Sequence, residues 1–129
     1  MGWAPRILVV DDEPSVQLLF EQILSDVGYY VTLAPRGRLA LAQVRSRQFE
    51  VVIVDLSLPD QDGMDLIRQI RDEFPRTPIL ALSGFMVGDM PAHAIAAGAS
   101  DTLLKPASPE NLLLKVYALI GPRSTWAGQ

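Results

Sequence analysis

Short, uninterrupted aliphatic runs alternate along this chain with longer segments whose apolar positions recur at helical spacing. Arg6-Ile7-Leu8-Val9-Val10 runs into Asp11-Asp12, Val51-Val52-Ile53-Val54 into Asp55, and Leu103-Leu104 into Lys105-Pro106. Runs without a polar alternate read as strands covered on both faces, the condition of a parallel sheet flanked by helices. After the first run, Val16, Leu19, Phe20, Ile23, Leu24 and Val27 predict a helix. Pro14 is tolerated in its first turn, and Gly28 can take the left-handed conformation that stops it. Tyr30 to Leu33 reads as a second strand, and Gly37 to about Arg47 as a helix with Leu39, Ala40 and Val44 inward.

A polar turn, Pro59-Asp60-Gln61-Asp62-Gly63, follows the third strand, and the next helix carries Leu66, Ile67, Ile70 and Phe74 before Pro75 and Pro78. Ile79 to Leu82 is the fourth strand. Gly84 and Gly88 bound an apolar loop, and a short alanine-rich helix from about Pro91 to Ala97 leads through Gly98-Ala99-Ser100 to a fifth strand, Thr102 to Leu104. Ser108 is placed to cap the last helix, with Pro109 at its first position and Glu110 at its positive end. Leu112, Leu113, Val116, Leu119 and Ile120 face inward before Gly121-Pro122.

Strict alternation of strand and helix predicts a doubly wound parallel sheet with helices on both faces. Residues just beyond the strands' C-terminal ends then share one edge, and ligands bind that edge where the strand order reverses. With the first and third strands on either side of the reversal, Asp11, Asp12 and Asp55 meet, and Lys105 joins them on the same edge.

Composition narrows what such a crevice can do. The 129 residues suit one domain, with a core over 6–120 and a polar tail or linker stub over 121–129. A chain 49% hydrophobic and 20% charged has a globular balance. The net charge of −4, without a Lys/Arg cluster, argues against a nucleic-acid groove. No apolar run approaches the roughly 18 residues of a membrane span. Met1-Gly2-Trp3-Ala4-Pro5 lacks the sections of a signal peptide, so the expected location is cytoplasmic. With no cysteine, thiolate catalysis and thiolate metal sites are excluded, and His93, the only histidine, leaves histidine triads and clusters unsupported. Trp3 and Trp126 lie at the chain ends and read as surface packing.

Crowded carboxylates repel one another, and a hard divalent cation removes that penalty. Mg²⁺ typically takes one or two carboxylates, several waters and phosphate oxygens, which suits an acidic trio open to solvent. Lys105 can pair with a carboxylate at rest or with a phosphoryl group once present. Ser83 adds a hydroxyl on the same edge. Nucleophilic carboxylate, cation, ammonium and hydroxyl supply the positioning and charge neutralisation that phosphoryl transfer needs. Taken singly, each motif has a plainer reading. Asp11-Asp12-Glu13 could cap the first helix, Asp55 and Ser83-Gly84 could serve turns, and Lys105 could be a surface lysine. Phe85, Met86, Val87 and Met90 either dock on the core or form a partner patch beside the crevice.

In order along the chain, Asp11-Asp12-Glu13, Asp55 with Pro59 and Gly63, Ser83-Gly84, Gly98-Ala99 and Lys105-Pro106 resemble the motifs of response-regulator receiver domains over about residues 6–120. The resemblance implies a CheY-like, flavodoxin-like (βα)5 fold with strand order 2-1-3-4-5. It implies that Asp55 accepts a phosphoryl group from a sensor histidine kinase or a histidine phosphotransfer protein. Asp12, Asp55 and the Ser57 backbone carbonyl would bind Mg²⁺, with Asp11 acting directly or through water. Ser83 and Lys105 would contact the phosphoryl oxygens, and the Lys105-Pro106 bond would be cis. The output partner or effector domain is not specified, and self-association as a homodimer is left open.

The sequence departs from the family pattern at Thr102, where receivers often carry an aromatic switch, and at Ala107, commonly Phe. Ser57 and Phe85 occupy positions that tune the phosphoryl lifetime. Three other readings compete. A haloacid-dehalogenase-type phosphatase needs a second acid two residues after the nucleophile, where this chain has Ser57. A flavodoxin-like FMN binder needs a phosphate loop that Asp11-Asp12 would repel. A receiver-shaped interaction module that is never phosphorylated would explain the missing aromatics but not the acidic trio.

Overall fold

The computed structural model describes residues 4–121. Trp3, Trp126 and the polar tail from Pro122 lie outside the described residues. Five strands alternate with five helices: β1 (Arg6–Val10), α1 (Pro14–Asp26), β2 (Tyr30–Ala34), α2 (Gly37–Ser46), β3 (Val51–Asp55), α3 (Gly63–Glu73), β4 (Ile79–Ser83), α4 (Met90–Ala97), β5 (Asp101–Leu104) and α5 (Pro109–Ile120). The strands are all parallel, as the alternation predicted, and lie in the order β2-β1-β3-β4-β5 that the receiver resemblance implied.

The period of two along each strand divides the core into two layers. Leu8, Val10, Val52 and Val54 face one layer with Ala40 and Val44 of α2, Leu66, Ile67 and Ile70 of α3, and Ala94 and Ala97 of α4. Ile7, Val9, Val51 and Ile53 face the other with Phe20 and Leu24 of α1 and Leu112 and Val116 of α5. Every residue of β3 and β4 is buried, which is why those runs carry no polar alternate. Each large aliphatic side chain so covered contributes about 1.5–3 kcal/mol from burial. That driving force fixes strand direction and register, and with them the edge where the charged residues emerge.

Several inward assignments need correction. Leu39 of α2 is exposed; the helix turns Ala40 and Val44 inward instead, with Leu41 partly covered. Leu19 and Val27 are also exposed, and α1 packs through Phe20 and Leu24, flanked by Val16 and Ile23. Leu113, Leu119 and Ile120 pack at the margin of their layer and are only half-buried. A helix resting on a sheet buries a stripe, and apolar residues on the rim of that stripe share its periodicity without sharing its burial. Gly28 stops α1 as expected, with φ of 101°. The alanine-rich helix begins at Met90, one residue before the expected start, and buries only Ala94 and Ala97.

Candidate functional site

Register decides which residues meet. Val10 of β1 lies opposite Val54 of β3, so Asp11, the next residue, emerges beside Asp55. Asp55 lies opposite Leu82, and Ser83 opposite Leu104, which brings Ser83 and Lys105 to the same edge. The Lys105 amide donates to the Ser83 carbonyl at 2.8 Å, and the Lys105-Pro106 bond is cis.

Asp11 is fully buried and tightly held. Its amide donates to Ala34 O at 3.1 Å, its Oδ1 accepts from the Glu13 amide at 2.9 Å, and its carbonyl accepts from Gln17 Nε2 at 2.6 Å. None of this caps α1. Glu13 occupies the position before the helix, and its side chain makes no capping hydrogen bond. The plain capping reading of Asp11-Asp12-Glu13 therefore fails, because the acidic side chains turn toward the crevice or solvent rather than the helix amides.

Asp55 is 2% exposed. Its Oδ1 accepts from the Ser57 amide at 3.0 Å, and its Oδ2 lies 3.3 Å from Lys105 Nζ. The loop that follows is locked at several points. Ser57 bridges to Asp62, the Gly63 amide donates to Leu56 O at 3.2 Å, and Asp62 caps α3 by accepting from the Met64 amide at 2.9 Å. A Cβ on Gly63 would stand 2.4 Å from Leu56 Cα and 2.6 Å from the Asp55 carbonyl oxygen, so only glycine lets α3 start against the back of the Asp55 backbone. Asp60 accepts from the Gly37 and Arg38 amides at 2.9 and 3.2 Å, and so caps α2 from another loop.

Lys105 reaches across the edge, its side chain 15% exposed. Its Nζ donates to Glu13 Oε1 at 2.8 Å and to Asp55 Oδ2 at 3.3 Å, and stands 2.9 Å from Asp11 Oδ2. Burial works to lower the Lys105 pKa, but the Glu13, Asp11 and Asp55 carboxylates outweigh it and hold the ammonium above its ordinary value. Burial, chiefly, raises the Asp55 pKa, and Asp11 adds to it; the Ser57 amide and Lys105 pull the other way. A charged Asp55 is thus costly in this pocket unless more positive charge arrives.

Asp11, Asp12 and Asp55 each bring one carboxylate oxygen within 4.8 Å of the others, the one such group among the described residues. Asp11 Oδ2 is buried without an aligned hydrogen bond despite its nearness to Lys105. Asp12 is exposed at the mouth. A buried carboxylate oxygen lacking an aligned donor, beside the buried Asp55 carboxylate and the exposed Asp12 carboxylate, fits a hard divalent cation taking oxygen ligands.

Ser83 is 3% exposed, and its Oγ accepts from the Phe85 amide at 3.0 Å, leaving the hydroxyl proton free to donate. The apolar loop divides between its two readings: Met86 and Met90 pack on the core, whereas Phe85 and Val87 are each 61% exposed. Thr102 is half-buried in β5, and Ser57 is exposed. Two contributors escaped sequence reading. Glu13 is the nearest hydrogen-bond partner of Lys105, a role signalled only by its place beside the acidic pair; Asp60 looked like turn chemistry alone. A groove of about 700 Å³ lies at the opposite sheet edge around Phe49, Phe74 and Leu119 and shares no residue with the carboxylates.

Known proteins share this fold and sequence pattern. The family model described as response regulator receiver domain matches residues 7–117. The Probable transcriptional regulatory protein TcrX of Mycobacterium tuberculosis is 34% identical over 92% of this chain and 51% of its own length. Transcriptional regulatory protein ZraR of Escherichia coli O157:H7 is 37% identical over 82% of this chain and 24% of its own. This chain thus spans about half the length of the first relative and about a quarter of the second. The crystal structure of chemotaxis protein CheY4 of Vibrio cholerae superposes with a TM-score of 0.86 at 32% identity, covering 90% of this chain and 98% of that one. By its fold, its acidic pocket and these matches, the chain belongs to the response-regulator receiver domains of two-component signalling.

Proposed function

We propose that Asp55 takes a phosphoryl group from a phosphohistidine of a sensor kinase or histidine phosphotransfer protein, and that Asp11, Asp12 and the Ser57 carbonyl hold Mg²⁺ with it. The observation that carries this reading is the buried Asp55 carboxylate, 3.3 Å from Lys105 Nζ and grouped with Asp11 and Asp12. A carboxylate oxygen of Asp55 attacks phosphorus, the phosphorus–nitrogen bond of the donor breaks, and the electron pair leaves with the imidazole nitrogen. The Ser57 amide and the register of β3 hold the nucleophile in place. Lys105 neutralises charge on the transferring group, and the Ser83 hydroxyl donates to one of its oxygens. Bound Mg²⁺ would offset the remaining negative charge and favour the ionised Asp55.

Ser57 in place of a second acid speaks against a phosphatase of the haloacid-dehalogenase type. Exposed Phe85 and Val87 beside Ser83 support a partner surface that changes with phosphorylation, and Thr102 leaves that task to the loop rather than to an aromatic ring. The longer relatives are transcriptional regulators, which supports an output domain or partner separate from these residues. Incubation with acetyl phosphate and Mg²⁺ adds one phosphate by intact mass spectrometry, and Asp55→Ala or removal of Mg²⁺ abolishes the adduct. Phosphate retained at another residue in Asp55→Ala overturns the assignment.

A further inference from the structure

The ammonium of Lys105 has three protons to donate and three carboxylates around it: Glu13 at 2.8 Å, Asp11 at 2.9 Å and Asp55 at 3.3 Å. A phosphoryl oxygen arriving on Asp55 gains this ammonium only by displacing one of them. The three are not equally free to let go. Asp11 is wholly buried, and among the described residues its Oδ2 has no partner besides Lys105 Nζ at 2.9 Å, so losing Lys105 would strand a carboxylate oxygen in the interior. Asp55 is the residue being modified. The Glu13 side chain is 56% exposed, so water can replace Nζ there at little cost. Among the described residues no other side chain claims the Glu13 carboxylate, and it makes no cap on α1 although it stands at the cap position.

We infer that Glu13 is a positioning residue for Lys105: it holds the ammonium at the mouth of the crevice at rest and yields it to the phosphoryl group when Asp55 is modified. The inference rests on the proposed phosphoacceptor function. Glu13 thereby competes with the incoming group for the same cation, and its charge slows capture of the phosphodonor without taking part in the chemistry at phosphorus. It is not one of the carboxylates grouped for a cation, which are Asp11, Asp12 and Asp55.

Glu13→Gln keeps the shape and removes the competing charge. Its half-saturation for acetyl phosphate falls by about twofold to fivefold, the ratio a half-exposed ion pair carries. The maximal phosphorylation rate and the Mg²⁺ affinity change less than the half-saturation does, and Glu13→Asp, which retains the charge, stays close to the wild type. Glu110→Gln removes an exposed carboxylate at the start of α5 that makes no contact with Lys105, and leaves the half-saturation unchanged. In ¹⁵N-lysine NMR, beryllofluoride shifts the Lys105 ammonium signal in the wild type more than in Glu13→Gln, where the ammonium is already released. An unchanged half-saturation together with an unchanged Lys105 signal in Glu13→Gln overturns the inference. So does an equal response in Glu110→Gln, which would reveal a general charge effect, or a loss of Mg²⁺ affinity of about tenfold, which would make Glu13 part of the metal site. A wild type that takes no phosphate, or keeps it in Asp55→Ala, instead overturns the phosphoacceptor reading itself.

Discussion

The loops after β3 and β4 leave neighbouring strands at one edge of the sheet, and they are held in opposite ways. The first, residues 56–62, is tied to Asp55 through the Ser57 amide, closed by the Ser57–Asp62 bridge, and backed by Gly63 against the Leu56 backbone. It also caps two helices, α2 through Asp60 and α3 through Asp62. The second, residues 84–89, is joined to Ser83 by the Phe85 amide, to the start of α4 by the backbone bonds Met90 N to Val87 O at 3.1 Å and His93 N to Asp89 O at 2.9 Å, and rests on Met86 packed below. A Cβ on Gly84 or Gly88 would meet nothing within 4 Å, and Asp89 stands at the cap position of α4 without capping it. One loop fixes a carboxylate, and the other has room to move. A site that must hold its nucleophile still while passing on a change requires that division of labour.

The sharpest way to break the comparison is to add one methyl group to each loop. In Gly63→Ala the new carbon meets backbone atoms at 2.4–2.6 Å, and backbone cannot swing aside as a side-chain tip can. We expect a loss of about 2–3 kcal/mol or more, the overpacking range, with slower phosphorylation as Asp55 is displaced. Gly84→Ala enters open space and stays within about 0.5 kcal/mol of the wild type. Urea unfolding with matched slopes measures both. Equal losses in the two variants would show that the loops are equally constrained.

Capping gives the next contrast. The Gly37 amide, chiefly, lowers the pKa of the exposed Asp60. A carboxylate whose folded pKa is depressed contributes stability above its unfolded pKa and loses that contribution as pH falls through the folded value. Asp60→Ala therefore costs about 0.5–1 kcal/mol at neutral pH, the lower part of the cap range because the site is exposed, and the gap from the wild type narrows in acid. Asp89→Ala, at a position that makes no cap, stays near zero throughout. A gap for Asp60→Ala that is independent of pH down to the acid transition would mean that the carboxylate charge contributes nothing.

Much of this division was legible before any coordinates. The apolar runs ended at Asp11, Asp55 and Lys105, and once parallel strands and right-handed crossovers were assumed, few arrangements remained for those ends. What stayed hidden depends on partners distant in the chain or on narrow differences of angle. Asp60 reads as a turn residue because its turn is local, whereas its cap on Gly37 lies 23 residues away. Gly63 stands out in the sequence as part of a motif, but the reason for it is a backbone contact that exists only once β3 and α3 are packed. Leu39 and Ala40 are adjacent on α2, and periodicity alone does not say which of them the sheet covers. Glu13 belongs to an acidic run whose members part company only in three dimensions, one buried, one open at the mouth, and one on Lys105.

The smallest expected effect bears on how the looser loop responds. The Ser83 hydroxyl now accepts from the Phe85 amide at 3.0 Å. On the proposed function, Ser83 turns to donate to a phosphoryl oxygen on Asp55, and the Phe85 amide loses its acceptor. Thr102 cannot offer the alternative of a ring turning inward, being small and stiff at χ1. Beryllofluoride should therefore speed hydrogen exchange at Phe85 by about fivefold, the equivalent of one neutral hydrogen bond, and alter Met86 and Val87 more than residues 101–104. In Ser83→Ala the Phe85 amide has no side-chain acceptor in either state, so the difference between states at that amide disappears, while Asp55 still takes phosphate because the nucleophile, the carboxylate group and Lys105 remain. Thr102→Ala changes neither response. Exchange changes centred on Thr102 that spare residues 84–90 would place the moving part on β5 instead, and the open space around Gly84 and Gly88 would then be no sign of where the signal leaves the site.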